Sequence, residues 1–318
     1  MKHRNLLFYS ISFILLIVLF AIDVFWGQIE LDLSNPIHQK VLLSLRLPKA
    51  ITAVIAGIGL SLSGLMMQTL FRNPLAGPYI LGVSSGATLG VAIVLMVGTM
   101  IGISHPSAWA SIIAAIIGSS VILLLVLAVS RRIKHTVSLL IVGMMVGSMA
   151  SAIVNIIQNY ANPDALKLFI VWTFGSLTAV SWQQLQILVP VFLIGCAIAI
   201  GLIKSLNGML LGDNYAHSLG INIKRTRLLI ILSTGLLAGG ITAFTGPIAF
   251  LGIAVPHIAR GLFRTSQHNI ILPATMLIGA ALLLLCDILC SIKTYPLPIS
   301  TISALFGAPI VIWIIIRK

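Results

Sequence analysis

The sequence predicts an all-α polytopic membrane protein with about ten transmembrane helices and an inverted internal repeat, and three observations carry that expectation. Hydrophobic residues make up 59% of the 318 positions and charged residues 8%, with a mean hydropathy of +1.13. A soluble core of this size does not need so few charges. Apolar runs of roughly 20 residues, the length that crosses the hydrocarbon, recur along the whole chain. They leave no room for a separate soluble domain, so residues 1–318 read as one transmembrane domain. Lastly, the cations gather in alternate connections between the runs.

The spans fall in order at 6–26, 47–70, 80–101, 108–130, 137–158, 183–203, 228–246, 249–264, 271–290 and 298–316. The first follows a short basic start, Met1 to Asn5. Its apolar run from Leu6 to Trp26 is longer than a secretory signal and lacks a small-residue cleavage site, so it reads as an uncleaved span with its N-terminus inside. Segment 165–180 is apolar but short and follows Asn162-Pro163-Asp164, which predicts an interfacial or re-entrant helix. With that segment not crossing, fourteen Lys and Arg lie inside. Five lie outside: Lys40, Arg46, Lys49, Lys167 and Lys293. Both termini are then cytoplasmic. The net charge of +13 is explained by these inner loops, which removes nucleic acid as a partner. Cys196, Cys286 and Cys290 sit inside apolar spans and read as small buried hydrophobes, without a metal or disulfide role.

An internal echo supports the repeat. Ala56-Gly57 precedes Ser63-Gly64 at the spacing with which Ala238-Gly239 precedes Thr245-Gly246. Gly77-Pro78 then leads to Leu81-Gly82-Val83, as Gly246-Pro247 leads to Leu251-Gly252-Ile253. The spans carrying the echo run in opposite directions, the arrangement of transporters whose pathway lies between the halves. Close packing through small residues is the alternative.

Four features carry functional expectations. Arg46, Lys49 and Lys293 lie beside Pro at the outer mouths of spans, against the charge bias, and suit an acidic partner docking from outside. Anchoring to membrane lipid is the competing role. The inner loop 204–227 holds Asp213 to Leu219 between Gly212 and Gly220, with Asp213 placed for a helix N-terminus and Ala216 and Leu219 on one face. A short helix of that kind presented to the cytoplasm suits docking of another protein. The breakers around Arg72-Asn73-Pro74, Gly77-Pro78 and Gly82 to Gly86 interrupt helix at membrane depth, tolerated only inside protein or along a water-filled cavity, where Ser84 and Ser85 would line a pathway. Gln68, Asn155, His257 and Asp287 read as buried polar residues. These are too few carboxylates for an ion-coupled secondary transporter. No phosphate-binding Gly-rich loop, zinc motif or serine elbow occurs, so any ATP must bind another subunit.

The ordered segments RLPKAI, AGIGLSLSG, RNPLAGPYILGVSSGA, LGDNYAHSLGI, GPIAFLGIAVPHIAR and LFGAPIVIW resemble the FecCD-type permeases, from about Arg46 to the C-terminus. These are the membrane subunits of bacterial ABC importers for ferric siderophores, haem and vitamin B12. The resemblance implies a permease of ten spans that moves a metal chelate by alternating access, with cobalamin as the alternative cargo. It implies a second permease copy in a homodimer or heterodimer, and two ATPase subunits that bind ATP and Mg. A substrate-binding protein, periplasmic or lipid-anchored, completes the set, and the chain itself is not an enzyme and holds no cofactor or metal.

Arg46 and Lys49 match the basic positions of the family's RLPR motif, which meet acidic residues of the binding protein. Lys49 keeps the charge of the usual Arg but loses its bidentate fork. The outer loop that often reads AELPVG is here Tyr295 to Ser300 and lacks its Glu, with Lys293 near a third docking position. Gly212, Asp213, Ala216, Leu219 and Gly220 match the segment that enters a cleft on the ATPase. Thr136 and Ser138 lie where similar proteins narrow the inner end of the pathway.

Overall fold

The structure is a computed structural model that describes residues 2–27, 32, 34–102, 106–133, 136–291 and 297–316. Among the described residues thirteen helices and no strand occur: α1 (Lys2–Phe25), α2 (Pro36–Phe71), α3 (Val83–Met100), α4 (Ala108–Arg132), α5 (Thr136–Tyr160), α6 (Pro163–Thr173), α7 (Trp182–Gly201), α8 (Ile203–Leu210), α9 (Asp213–Ser218), α10 (Ile223–Thr245), α11 (Leu251–Phe263), α12 (His268–Cys290) and α13 (Ile299–Ile316). Eight of them are long and apolar enough to cross a membrane: α1 to α5, α7, α10 and α12. Two shorter apolar helices, α11 and α13, stand beside them. At 13 residues, α11 is about 20 Å long, short of the roughly 30 Å hydrocarbon. The broken backbone from Gly246 to Phe250 leads into it.

The ends of these elements follow local chemistry. Asn35 accepts the Ile37 N–H at the start of α2 and Asn162 that of Asp164 at the start of α6, each with Pro in the first turn. Ser181 and Gln184 form a capping box at α7, and Asn222 caps α10 through the Arg225 N–H. Three boundaries differ from the sequence expectation. Helix α2 begins at Pro36 instead of residue 47, because a π-turn at Leu42–Arg46 carries the helix past Pro48. The Trp182 indole donates to the Leu43 carbonyl within that turn. Helix α10 begins at Ile223, and the expected loop 204–227 is largely the two helices α8 and α9.

Helix α6 does not cross. Trp182 at the start of α7 meets Leu43 near the start of α2. The segment after α6 hydrogen-bonds through Ser176 N to Thr245 O and receives Ser300 N at Phe174 O. It thus lies among the ends of α10 and α13 on the side away from the N-terminus, here the far side. On the N side, Tyr9 donates to Ile270 O and packs its ring against Phe263, so α1, α11 and α12 meet there.

The two echoing segments are built alike and oppositely directed. Ser63 and Thr245 each return their hydroxyl to the carbonyl four residues back, Gly59 and Ile241. Each Gly-Pro break is followed by a residue at positive φ that starts the next helix: Gly82 at 72° before α3, and Phe250 at 67° before α11. The halves touch where α2 passes α11. A Cβ on Gly64 would run into the Gly252 carbonyl, so the helices approach backbone to backbone. Gly64→Ala is therefore expected to cost about 2–3 kcal/mol, since neither backbone can give way. Gly261→Ala, which meets nothing, should leave the thermal midpoint in detergent unchanged or slightly raised.

Gln68 and His257 serve this contact. Pro256 cannot donate to the Gly252 carbonyl, and Gln68 Nε2 donates to Gly252 O (3.3 Å) and Ile253 O (3.2 Å) instead. Arg260 donates to Gln68 Oε1 at 2.6 Å, and His257 Nε2 lies 2.7 Å from Pro74 O.

Candidate functional site

Two of the basic residues expected on the outer face, Arg46 and Lys49, lie inside the protein. Lys49 stands between two carboxylates, 3.0 Å from Asp23 Oδ1 and 2.8 Å from Asp287 Oδ2. Lys49 is 7% exposed, Asp23 1% and Asp287 5%. These three residues tie α1, α2 and α12 together near their far-side ends. Arg46, one turn earlier, is also buried and donates through Nη1 to Phe25 O (2.9 Å) and Val24 O (3.3 Å), the last carbonyls of α1. The structure thus corrects the placement of both residues: Lys49 has two acidic partners within its own chain, and Arg46 caps α1. Asp287, expected as a buried polar residue, pairs with Lys49, and Lys293 lies outside the described residues. Sequence reasoning missed Asp23. A lone carboxylate in an apolar span was the available signal.

On the N side, the coupling-like residues do form one element. Gly212 (φ 113°) and Gly220 (φ 79°) bracket α9 with backbone that L residues rarely adopt. Ala216 and Leu219, expected on one face, are separated: Ala216 is fully buried against α8, while Tyr215 and the C-cap residue Leu219 project outward, 52% and 57% exposed. Asp213 pairs with Arg72 at 2.6 Å, an exposed bridge joining α9 to the left-handed cap of α2. On its other flank runs a groove of about 1010 Å³, lined among others by Arg131, Arg132, His217, Lys224 and Arg227. The N side thus presents a short helix with two large apolar side chains, beside a basic concavity.

The pathway candidates separate. Ser85 lies beside Gly147, where α3 packs closely on the Gly143 and Gly147 face of α5; Ser84, half-buried, lies next to it on α3. Leu139, Gly143, Gly147, Ala150 and Val154 form that closed face of α5. The other face is open: Ser138, Met145, Ser148, Ala152, Asn155 and Asn159 are all exposed and recur at helical spacing. Asn155, expected to be buried, is corrected to this open face. Thr136 begins the helix and accepts a hydrogen bond from Arg227 Nη2 at 3.2 Å. Ser138 therefore lies on the open face of a membrane-spanning helix, which is apolar at Ile141 and Met145 and polar at Ser148, Asn155 and Asn159, and Ser84 and Ser85 lie in a packed contact behind it. Ser148 and Asn159 were missed; counting polar residues at a period of 3.6 would have found them.

A model of the FecCD transport family matches residues 9–317. The hemin transport system permease protein HmuU of Yersinia pestis is 31% identical over 291 residues, covering 90% of this chain and 86% of that protein. The vitamin B12 import system permease protein BtuC of Klebsiella pneumoniae is 34% identical over 282 residues, covering 88% and 83%. Among solved structures, an inward-facing chain described as a metal-chelate type ABC transporter superposes with a TM-score of 0.88 at 30% identity, covering 98% of this chain and 99% of that one.

Proposed function

This chain belongs to the FecCD transport family, and from that premise we propose that it is the permease of an ATP-driven importer for a metal chelate, a ferric siderophore or haem. It works as one half of a pathway completed by a second permease copy. The open face of α5 carries this reading. Hydroxyls and amides repeated along one side of a spanning helix have no partner in hydrocarbon, and unsatisfied polar groups there are costly. A facing helix across a water-filled passage satisfies them. Two copies related by a two-fold axis would place two such stripes opposite each other.

The N side is then cytoplasmic, as the excess of Lys and Arg in the connections on that side supports, and the membrane is the cell's inner one. Tyr215 of α9 and Leu219 at its C-terminal cap dock on an ATPase subunit, which binds ATP and Mg. The far side receives a substrate-binding protein. The chain contributes a passage that alternates in access and performs no bond chemistry.

The test is purification with the ATPase subunit, followed by uptake into proteoliposomes. Uptake of a ferric chelate that needs ATP and the ATPase supports the reading. Uptake by this chain alone without ATP would make it an ion-coupled secondary transporter and sink the proposal. Cobalamin in place of the ferric chelate would redirect the cargo to that of the vitamin B12 relatives and leave the mechanism intact.

A further inference from the structure

Helix α9 and the open face of α5 are separate elements, and one buried side chain lies between them. Helix α9 packs on α8 and α10. Ile221 N donates to Ala216 O at 3.1 Å, and the chain turns at Gly220 directly into α10, capped by Asn222. A little more than a turn into α10 stands Arg227, 6% exposed. Its Nη1 donates to Ile133 O at 3.1 Å and its Nη2 to Thr136 Oγ1 at 3.2 Å. Ile133 follows the last residue of α4, and Thr136 is the first of α5.

We infer that Arg227 is a positioning residue that transmits displacement of α9 to the cytoplasmic end of α5, through its two-point grip on Ile133 and Thr136. The inference rests on the importer reading above. Three physical points support it. A guanidinium holding two acceptors with different nitrogens fixes orientation as well as distance, so it behaves as a stiff link where a single bond would pivot. The link spans two elements, and the Arg227 side chain that makes it is 6% exposed, so its guanidinium is held by the protein around it. Finally, α9 has a groove of about 1010 Å³ on its flank toward Ile133 and Arg227. That leaves room for α9 and the start of α10 to shift together.

The test uses the transporter reconstituted with its ATPase subunit and carrying S138C on the open face of α5. The native Cys196, Cys286 and Cys290 are buried, so a membrane-impermeant maleimide reports the S138C thiol. In this parent, ATP should change the labelling rate. Adding R227M should flatten that change and lower substrate moved per ATP hydrolysed by about tenfold, within the usual span of coupling between sites. R227K, which reaches one acceptor, should recover part of both. T136V removes one acceptor and no charge, and should give an intermediate loss even where R227M fails to assemble. A merely structural role would change yield and leave the ATP dependence of labelling intact. R227M or T136V with parental ATP dependence overturns this inference alone. A parent blind to ATP overturns the importer reading and this inference with it.

Discussion

Replacing Lys49 with Met is expected to destabilise the permease by about 3–5 kcal/mol, the cost of removing one partner from a buried ion pair. Lys49 is the cation shared by Asp23 and Asp287, and all three are almost wholly out of solvent. Without the ammonium, two carboxylates from α1 and α12 face each other in a medium that screens them poorly. The helices they belong to are then pushed apart at their far-side ends. The triple variant D23N/K49M/D287N removes every charge of the cluster and should regain most of the loss, since buried ion pairs are often replaceable by neutral groups. The measurement is the thermal midpoint in detergent of the single and triple variants, read with membrane yield. A K49M midpoint equal to the parent's would mean that the three residues contribute no net stability. K49E would bring a third carboxylate to the site and is expected to abolish folding. Charge reversal at this position therefore reports on the fold before it can report on any docking partner.

The same three residues show where the sequence was legible and where it was not. Eight of the expected spans are helices long and apolar enough to cross, and they could be read because each needs about 20 apolar residues and hydropathy measures that directly. The non-crossing of α6 could be read from its length and from Asn162-Pro163. The start of α2 could not. Pro48, with Arg46 and Lys49 around it, has the composition of a loop, and only the π-turn at Leu42–Arg46 lets one helix run through. Arg46 and Lys49 were visible as cations on the wrong side of the charge bias. Their partners were not, because Asp23 is 26 residues from Lys49 in sequence and Asp287 lies in α12. Hydropathy places spans without saying which helix ends meet. A lone cation and two lone carboxylates, each at the same end of an apolar span, would have been the clue.

The coupling element was more legible, because its signals are local. Gly212 and Gly220 require positive φ, Asp213 suits a first turn, and Ala216 needs a tight packing face; all fall within one short stretch. Arg227 was counted only as an inner-side charge. Its role depends on Ile133 and Thr136, about 90 residues earlier, which no local pattern exposes.

The open face of α5 yields the other large effect. Ser148→Trp is expected to cut uptake by more than tenfold while the protein still inserts and assembles. Ser148 is exposed on the face opposite the packed Gly143 and Gly147 contact, with Met145 and Ala152 on either side of it along the stripe. An indole there displaces no core residue, so the usual cost of overpacking does not arise. It projects into the proposed passage instead, where an obstruction worth about 2 kcal/mol slows each passage roughly 30-fold. Ser148→Ala should stay near the parent, because a hydroxyl facing water contributes little to stability. Ile11→Trp, on the 51% exposed and apolar surface of α1, adds the same bulk toward lipid and should also be neutral. ATP-dependent uptake in proteoliposomes, normalised to assembled complex, separates the cases. Full transport by Ser148→Trp would place the passage elsewhere and leave the α5 stripe as an interface between copies. Loss by Ser148→Trp with retention by Ser148→Ala and Ile11→Trp identifies steric closure at this face, because chemistry, bulk and fold have each been varied separately.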